Sequence, residues 1–87
     1  MTVLEIYGIT QEELVSDSRR WPIVEARQLE WLMQRSQGMT LMQIAERWNK
    51  THPTVLSGIN RITGLIKFDK RVRNAYYILS SGYNPCV

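Results

Sequence analysis

The sequence predicts an all-α fold, a compact helical bundle containing a helix-turn-helix, and three observations predict it. Apolar residues recur at spacings of three and four along most of the chain, the period of a helix with one buried face. Two capping boxes, Thr10 with Glu13 and Thr40 with Gln43, mark helix starts. In each, the hydroxyl and the later side chain satisfy backbone N–H groups that a first turn leaves unpaired. A polar turn, Asn49-Lys50-Thr51-His52, leads into Pro53 and a long apolar stripe. Proline suits a helix start, because the N–H it lacks would have no partner there.

The elements follow in order. Thr2 to Tyr7 is short and apolar, fits either a strand or a helix end, and is broken at Gly8. A short helix runs from about Gln11 to Val15, and Ser16 to Arg20 is a polar connector ending in an arginine pair. Pro22 suits the first turn of a long helix carrying Ile23, Val24, Leu29, Leu32 and Met33, which Gly38 stops. Trp31, on the flank of that helix, reads as packing. From Thr40 a shorter helix turns Leu41, Ile44, Ala45 and Trp48 inward. After Pro53, Val55, Leu56, Ile59, Ile62, Leu65 and Ile66 form the stripe, with Thr54, Ser57, Asn60, Arg61 and Lys67 on the outer face. Gly58 and Gly64 each cost roughly 1 kcal/mol in a helix, so each predicts close packing or a nearby helix end. Asp69 caps a last helix through Ala75, Tyr76 and Leu79, and residues 80–87 read as a flexible tail. The expected organisation is one domain, residues 1–79, with the helix-turn-helix at about Thr40 to Lys67.

Composition narrows the function. With 87 residues and 44% hydrophobic content, the chain suits one domain with a modest core. Net charge is +3, but unevenly spread. Residues 1–18 hold four acids and no base, whereas from Arg19 to Arg73 eleven bases face four acids, a net +7. A basic segment behind an acidic lead points to an anionic partner such as a phosphate backbone; a solvated helical surface has the same composition. A helix-turn-helix presents the N-terminal end of its second helix to the major groove, where the helix dipole also favours phosphate.

Other classes lack support. Cys86 is the lone cysteine, so it forms no internal disulfide, has no zinc-ligand spacing, and reads as a free, inert thiol. His52 is the sole histidine and stands in no catalytic or metal-binding context; there is no glycine-rich phosphate loop. The expectation is therefore a non-enzyme with no cofactor and no metal. No apolar run approaches the roughly 20 residues that span a bilayer. The first residues carry Glu5 and no Lys or Arg, unlike a secretory signal. A cytoplasmic protein without a membrane partner is expected.

Three stretches carry a family resemblance. They are Ser18-Arg19-Arg20 with Ile23-Val24 and Ala26-Arg27-Gln28; Thr40-Leu41 with Gln43-Ile44 and Trp48; and His52 with Thr54-Val55-Leu56 and Ile62. Together they resemble the C-terminal DNA-binding domain of the bacterial chromosomal replication initiator DnaA, a Trp-repressor-like helix-turn-helix. Val3 to Ser16 is similar to the connector helix and short helix before that domain, so the likeness runs to about Leu79. It implies double-stranded DNA as partner, with Arg19 at the family's minor-groove position and Arg20 as second candidate. His52 and Thr54 match major-groove signature residues, and Arg35 lies near a phosphate-contacting basic position. Lys50 and Thr51 stand where the family has its acidic base-reading residue, Lys50 in the shortened turn is a candidate phosphate contact, and Ser57 continues the outer face of the reading helix. Each position has a plainer alternative: a solvated lysine at Lys50, a helix-capping histidine, a threonine satisfying a backbone acceptor, a surface arginine.

The departures are specific. The family's Gly-Gly-Arg-Asp-His-Thr becomes Asn49-Lys50-Thr51-His52-Pro53, one residue shorter, without the acid and with proline replacing a DNA-touching threonine. Groove docking is expected to survive these changes, since proline starts a helix well; recognition of the standard initiator box is not. The resemblance implies a regulator of replication or transcription without the ATPase motor. The alternative is a protein-interaction module that binds a replication protein or self-associates, with base reading lost.

Overall fold

Side-chain caps set most of the helix starts in the computed structural model, which describes all 87 residues as six helices with no strand. α1 (Val3–Tyr7) settles the first ambiguity in favour of helix. The Thr2 hydroxyl accepts from the Glu5 N–H and the Glu5 carboxylate accepts from the Thr2 N–H, a third capping box, and Gly8 ends the helix at φ 64°. α2 (Gln11–Val15) and α4 (Leu41–Trp48) start on the two predicted boxes. α3 (Ile23–Ser36) begins one residue after Pro22, whose carbonyl accepts the Ala26 N–H at 2.9 Å. α5 (His52–Phe68) is capped by Thr51, which places Pro53 in its first turn. In α6 (Lys70–Ser81) the Asp69 carboxylate accepts from the Arg71 and Val72 N–H groups. No helix is long and apolar enough to cross a membrane.

α3 is the central strut, with α1, α2, α4 and α5 packed against it. Leu29, Ile44, Val55, Ile62 and Leu79 are fully buried between the helices, and the Trp31 and Trp48 rings meet edge to face at 5.9 Å. Trp48 also donates its indole N–H to Gln34 Oε1 at 3.0 Å, which satisfies a buried donor. Gly58 lets α5 approach α3: a Cβ there would lie 2.6 Å from Trp31 Cζ3. Gly64 has no atom within 4 Å of its would-be Cβ and lies in the last turns of α5. The α5 stripe is buried at Val55, Ile59 and Ile62, but Leu56 is 39% exposed and turns to the outer face. α4 and α5 join through Asn49, left-handed at φ 54°, a conformation asparagine tolerates better than most residues.

The C-terminus differs from the expected tail. α6 continues to Ser81, and the residues after it fold back onto α3. The cause is Glu30, fully buried on α3, whose Oε2 accepts from the Tyr83 hydroxyl (2.9 Å) and the Cys86 N–H (3.2 Å). The Val87 carbonyl accepts from Gln34 and Arg47, and the Cys86 carbonyl from Gln11. A buried carboxylate requires such donors. Burial, with Glu30 beside it, pushes the free Cys86 thiol up to about 12, which leaves it unreactive at neutral pH. A second buried carboxylate, Glu25, ties α3 to α6 and α1 through two bonds from Arg71 (2.6 and 3.0 Å) and the Tyr7 hydroxyl.

Candidate nucleic-acid interface

The connector between α2 and α3 is shaped from below by Arg27. Its guanidinium is buried and donates to the carbonyls of Leu14 (3.0 Å), Ser16 (2.6 Å) and Ser18 (3.1 Å). Above it, the Ser16 hydroxyl accepts from the Ser18 N–H and the Ser18 hydroxyl from the Arg20 N–H, both at 3.2 Å. The polar connector of residues 16–20 thus becomes a defined loop. Arg19 and Arg20 project from it into solvent.

Trp21, 41% exposed, closes the loop, and the Arg61 guanidinium lies 5.0 Å from its ring centroid, a cation–π distance. Arg61, in the middle of α5, is thereby brought beside the loop. With Arg19, Gln28, Thr54 and Ser57 it lines a cleft of about 440 Å³ between the loop and the first turns of α5. Thr54, Ser57 and Arg61 share one helix face because they stand three and four residues apart. That spacing was the available signal for Arg61.

The turn adjoins this cleft. Thr51 and His52 are exposed, and the Thr51 hydroxyl both caps Thr54 and lies 2.8 Å from the Thr54 hydroxyl. Lys50 behaves differently from a free lysine: its side chain is 19% exposed and its ammonium lies 2.9 Å from Asp17 Oδ1 on the loop. Lys50 in turn holds the Asp17 carboxyl below the usual carboxylate range. Arg35 is not brought to the cleft; near the end of α3 it donates to the Met39 carbonyl at 3.2 Å. Asp17, Trp21, Gln28 and Arg61, none of them a candidate from the sequence, thus lie beside the loop, the turn and the cleft.

A short helix, a left-handed turn and a longer helix whose N-terminal end opens beside a basic loop define a helix-turn-helix domain. Residues 1–62 match the family described as bacterial dnaA protein helix-turn-helix, and the chain belongs to that family. Among its relatives, the chromosomal replication initiator protein DnaA of Pseudothermotoga lettingae is 34% identical over 65 residues, 74% of this chain and 15% of that protein. The corresponding protein of Thermotoga petrophila is 28% identical over 74 residues, 83% of this chain and 17% of that protein. The chain thus spans less than a fifth of the length of either relative. No solved structure matches it.

Proposed function

We propose that the protein binds double-stranded DNA, with the start of α5 in the major groove and the Arg19-Arg20 loop over the adjacent minor groove. The observation that carries this reading is the gathering of Arg19, Thr54, Ser57 and Arg61 around one cleft at the open end of a reading helix. Family membership supports it, and so does the net +7 of residues 19–73. The N-terminal end of α5 adds the positive end of the helix dipole. The protein acts as a cytoplasmic, non-catalytic regulator of replication or transcription. Its altered turn, without the family's acid and with Pro53, disfavours the standard initiator box, since each lost base contact removes about 1–3 kcal/mol of discrimination.

Fluorescence anisotropy against labelled duplexes across a salt series tests the proposal. Saturable binding whose affinity falls steeply with salt is expected, through release of condensed counterions. The standard box should bind no better than random duplex. Arg19→Ala should weaken binding most on A·T-rich duplexes, because an arginine in a narrow minor groove reads its width as well as its charge. Absence of saturable binding at any salt would overturn the proposal and favour a protein-interaction module.

A further inference from the structure

Asp17 is out of place on a phosphate-facing surface. It is the only carboxylate in residues 16–24 and none occurs in residues 47–68, the segments that build the proposed interface. Its side chain is 97% exposed, so it serves no core, and an exposed ion pair of this kind adds little to stability. What it does have is a partner across the interface. Asp17 lies on the loop, Lys50 lies in the turn, 33 residues apart in sequence, and their charged atoms meet at 2.9 Å. Lys50 is held well down against the protein, at 19% exposure. The other end of the loop is tied as well, through Arg61 over Trp21.

We infer that Asp17 is a positioning residue for DNA recognition: through Lys50 it ties the basic loop to the helix-turn-helix turn and sets the spacing between the two DNA-reading elements. The inference rests on the DNA-binding reading above. Its physical logic is preorganisation. A loop held at both ends arrives at the duplex with its arginines already placed relative to α5, so less ordering is needed on binding. Because Asp17 balances the Lys50 ammonium, Lys50 acts as a bracket, and its charge is not available to neutralise a phosphate. Asp17 also lowers attraction to arbitrary sequence by placing a negative charge near the backbone, which favours the site that fits over those that do not.

The experiment compares the parent with Asp17→Asn, Lys50→Ala and the charge swap Asp17→Lys with Lys50→Asp. The probes are random duplex and the best duplex recovered from a random pool by selection with the parent. Asp17→Asn should lower the preference for the selected duplex several-fold and steepen the salt dependence by about one unit, as the released Lys50 finds a phosphate. Lys50→Ala should lower the preference without flattening the salt dependence. The swap, which restores the pair at unchanged net charge, should recover most of the lost preference. Hydrogen exchange on the free protein gives a readout that needs no DNA: Asp17→Asn should speed exchange at amides 18–21 and 49–51 together. Circular dichroism checks that every variant is folded. Unchanged preference and exchange in Asp17→Asn overturn the bracket. So does a Lys50→Ala variant whose salt dependence falls by a unit, which would make Lys50 a plain phosphate ligand. A parent that binds no duplex overturns the DNA reading and this role with it.

Discussion

Arg27 and Glu30 stand three residues apart on α3, both buried and both charged in water, yet they meet burial differently. Arg27 donates to three carbonyls of the loop above it, and desolvation lowers its pKa without discharging a guanidinium. Glu30 accepts from Tyr83 and Cys86 at one oxygen, while its Oε1 has no partner. Burial outweighs those bonds and raises the Glu30 pKa. The folded protein therefore holds the Glu30 proton more tightly than the unfolded chain does. The resulting stability is fully present below the unfolded value, about 4.3 for a glutamate, and is lost as pH rises through the higher folded value. Glu30→Gln keeps an oxygen to accept from Tyr83 and Cys86 and cannot ionise. Thermal unfolding at pH 7 and at pH 5 should show the parent gaining more stability on acidification than Glu30→Gln. An equal gain in both proteins would mean that Glu30 is not the group responsible.

At the scale of the helix, α5 holds two glycines whose roles separate. Gly58 faces Trp31, whose ring is buried and stacked edge-on against Trp48, so it has nowhere to move. A methyl group there would lie 2.6–2.7 Å from two ring carbons, and overpacking of that kind costs about 1–3 kcal/mol. Gly64 has open space around it and no positive φ, so Gly64→Ala should stabilise the protein by up to about 1 kcal/mol through helix propensity alone. Urea unfolding of the two variants is expected to move the midpoint in opposite directions. If both move the same way, either the α3–α5 approach or the openness around Gly64 is misjudged. The same helix shows the reach of periodicity. The stripe of Val55, Ile59 and Ile62 was readable from spacing, whereas Leu56 matched the spacing and is nevertheless 39% exposed. It lies at the edge of the stripe, where only the neighbouring helices decide coverage.

For the whole molecule, the chain ends act as a clasp. Residues 83–87 reach α2, α3 and α4 through Gln11, Glu30, Gln34 and Arg47, and the Asn84 N–H donates to the Met1 carbonyl at 3.1 Å. Truncation after Gly82 would strip Glu30 of both donors that hold it. Leaving a buried acceptor unsatisfied costs about 1–3 kcal/mol, more for a charged one. For a domain of this size each kcal/mol is worth roughly 4–8 °C in Tm, so scanning calorimetry should detect the loss readily. A Tm unchanged by the truncation would show that the segment contributes no stability.

Local sequence determined the helices and the order in which they come, because capping and 3.6-residue periodicity are short-range properties. Thr10, Thr40, Thr51 and Asp69 mark where helices start, and the turn at Asn49 separates α4 from α5. The family resemblance through Arg19, Thr40 to Trp48 and His52 to Ile62 was readable for the same reason. Only the tertiary structure decided which distant residues meet. Polar residues at 80–87 resemble any solvated end until a buried Glu30, fifty residues earlier, supplies their partner. Arg61 joins the loop because Gly58 brings α5 close to α3. Asp17 finds Lys50 because Arg27 folds the connector under the turn. Hydrogen bonds and ion pairs of this length depend on position to within an ångström, and sequence spacing carries no such information across 33 to 56 residues.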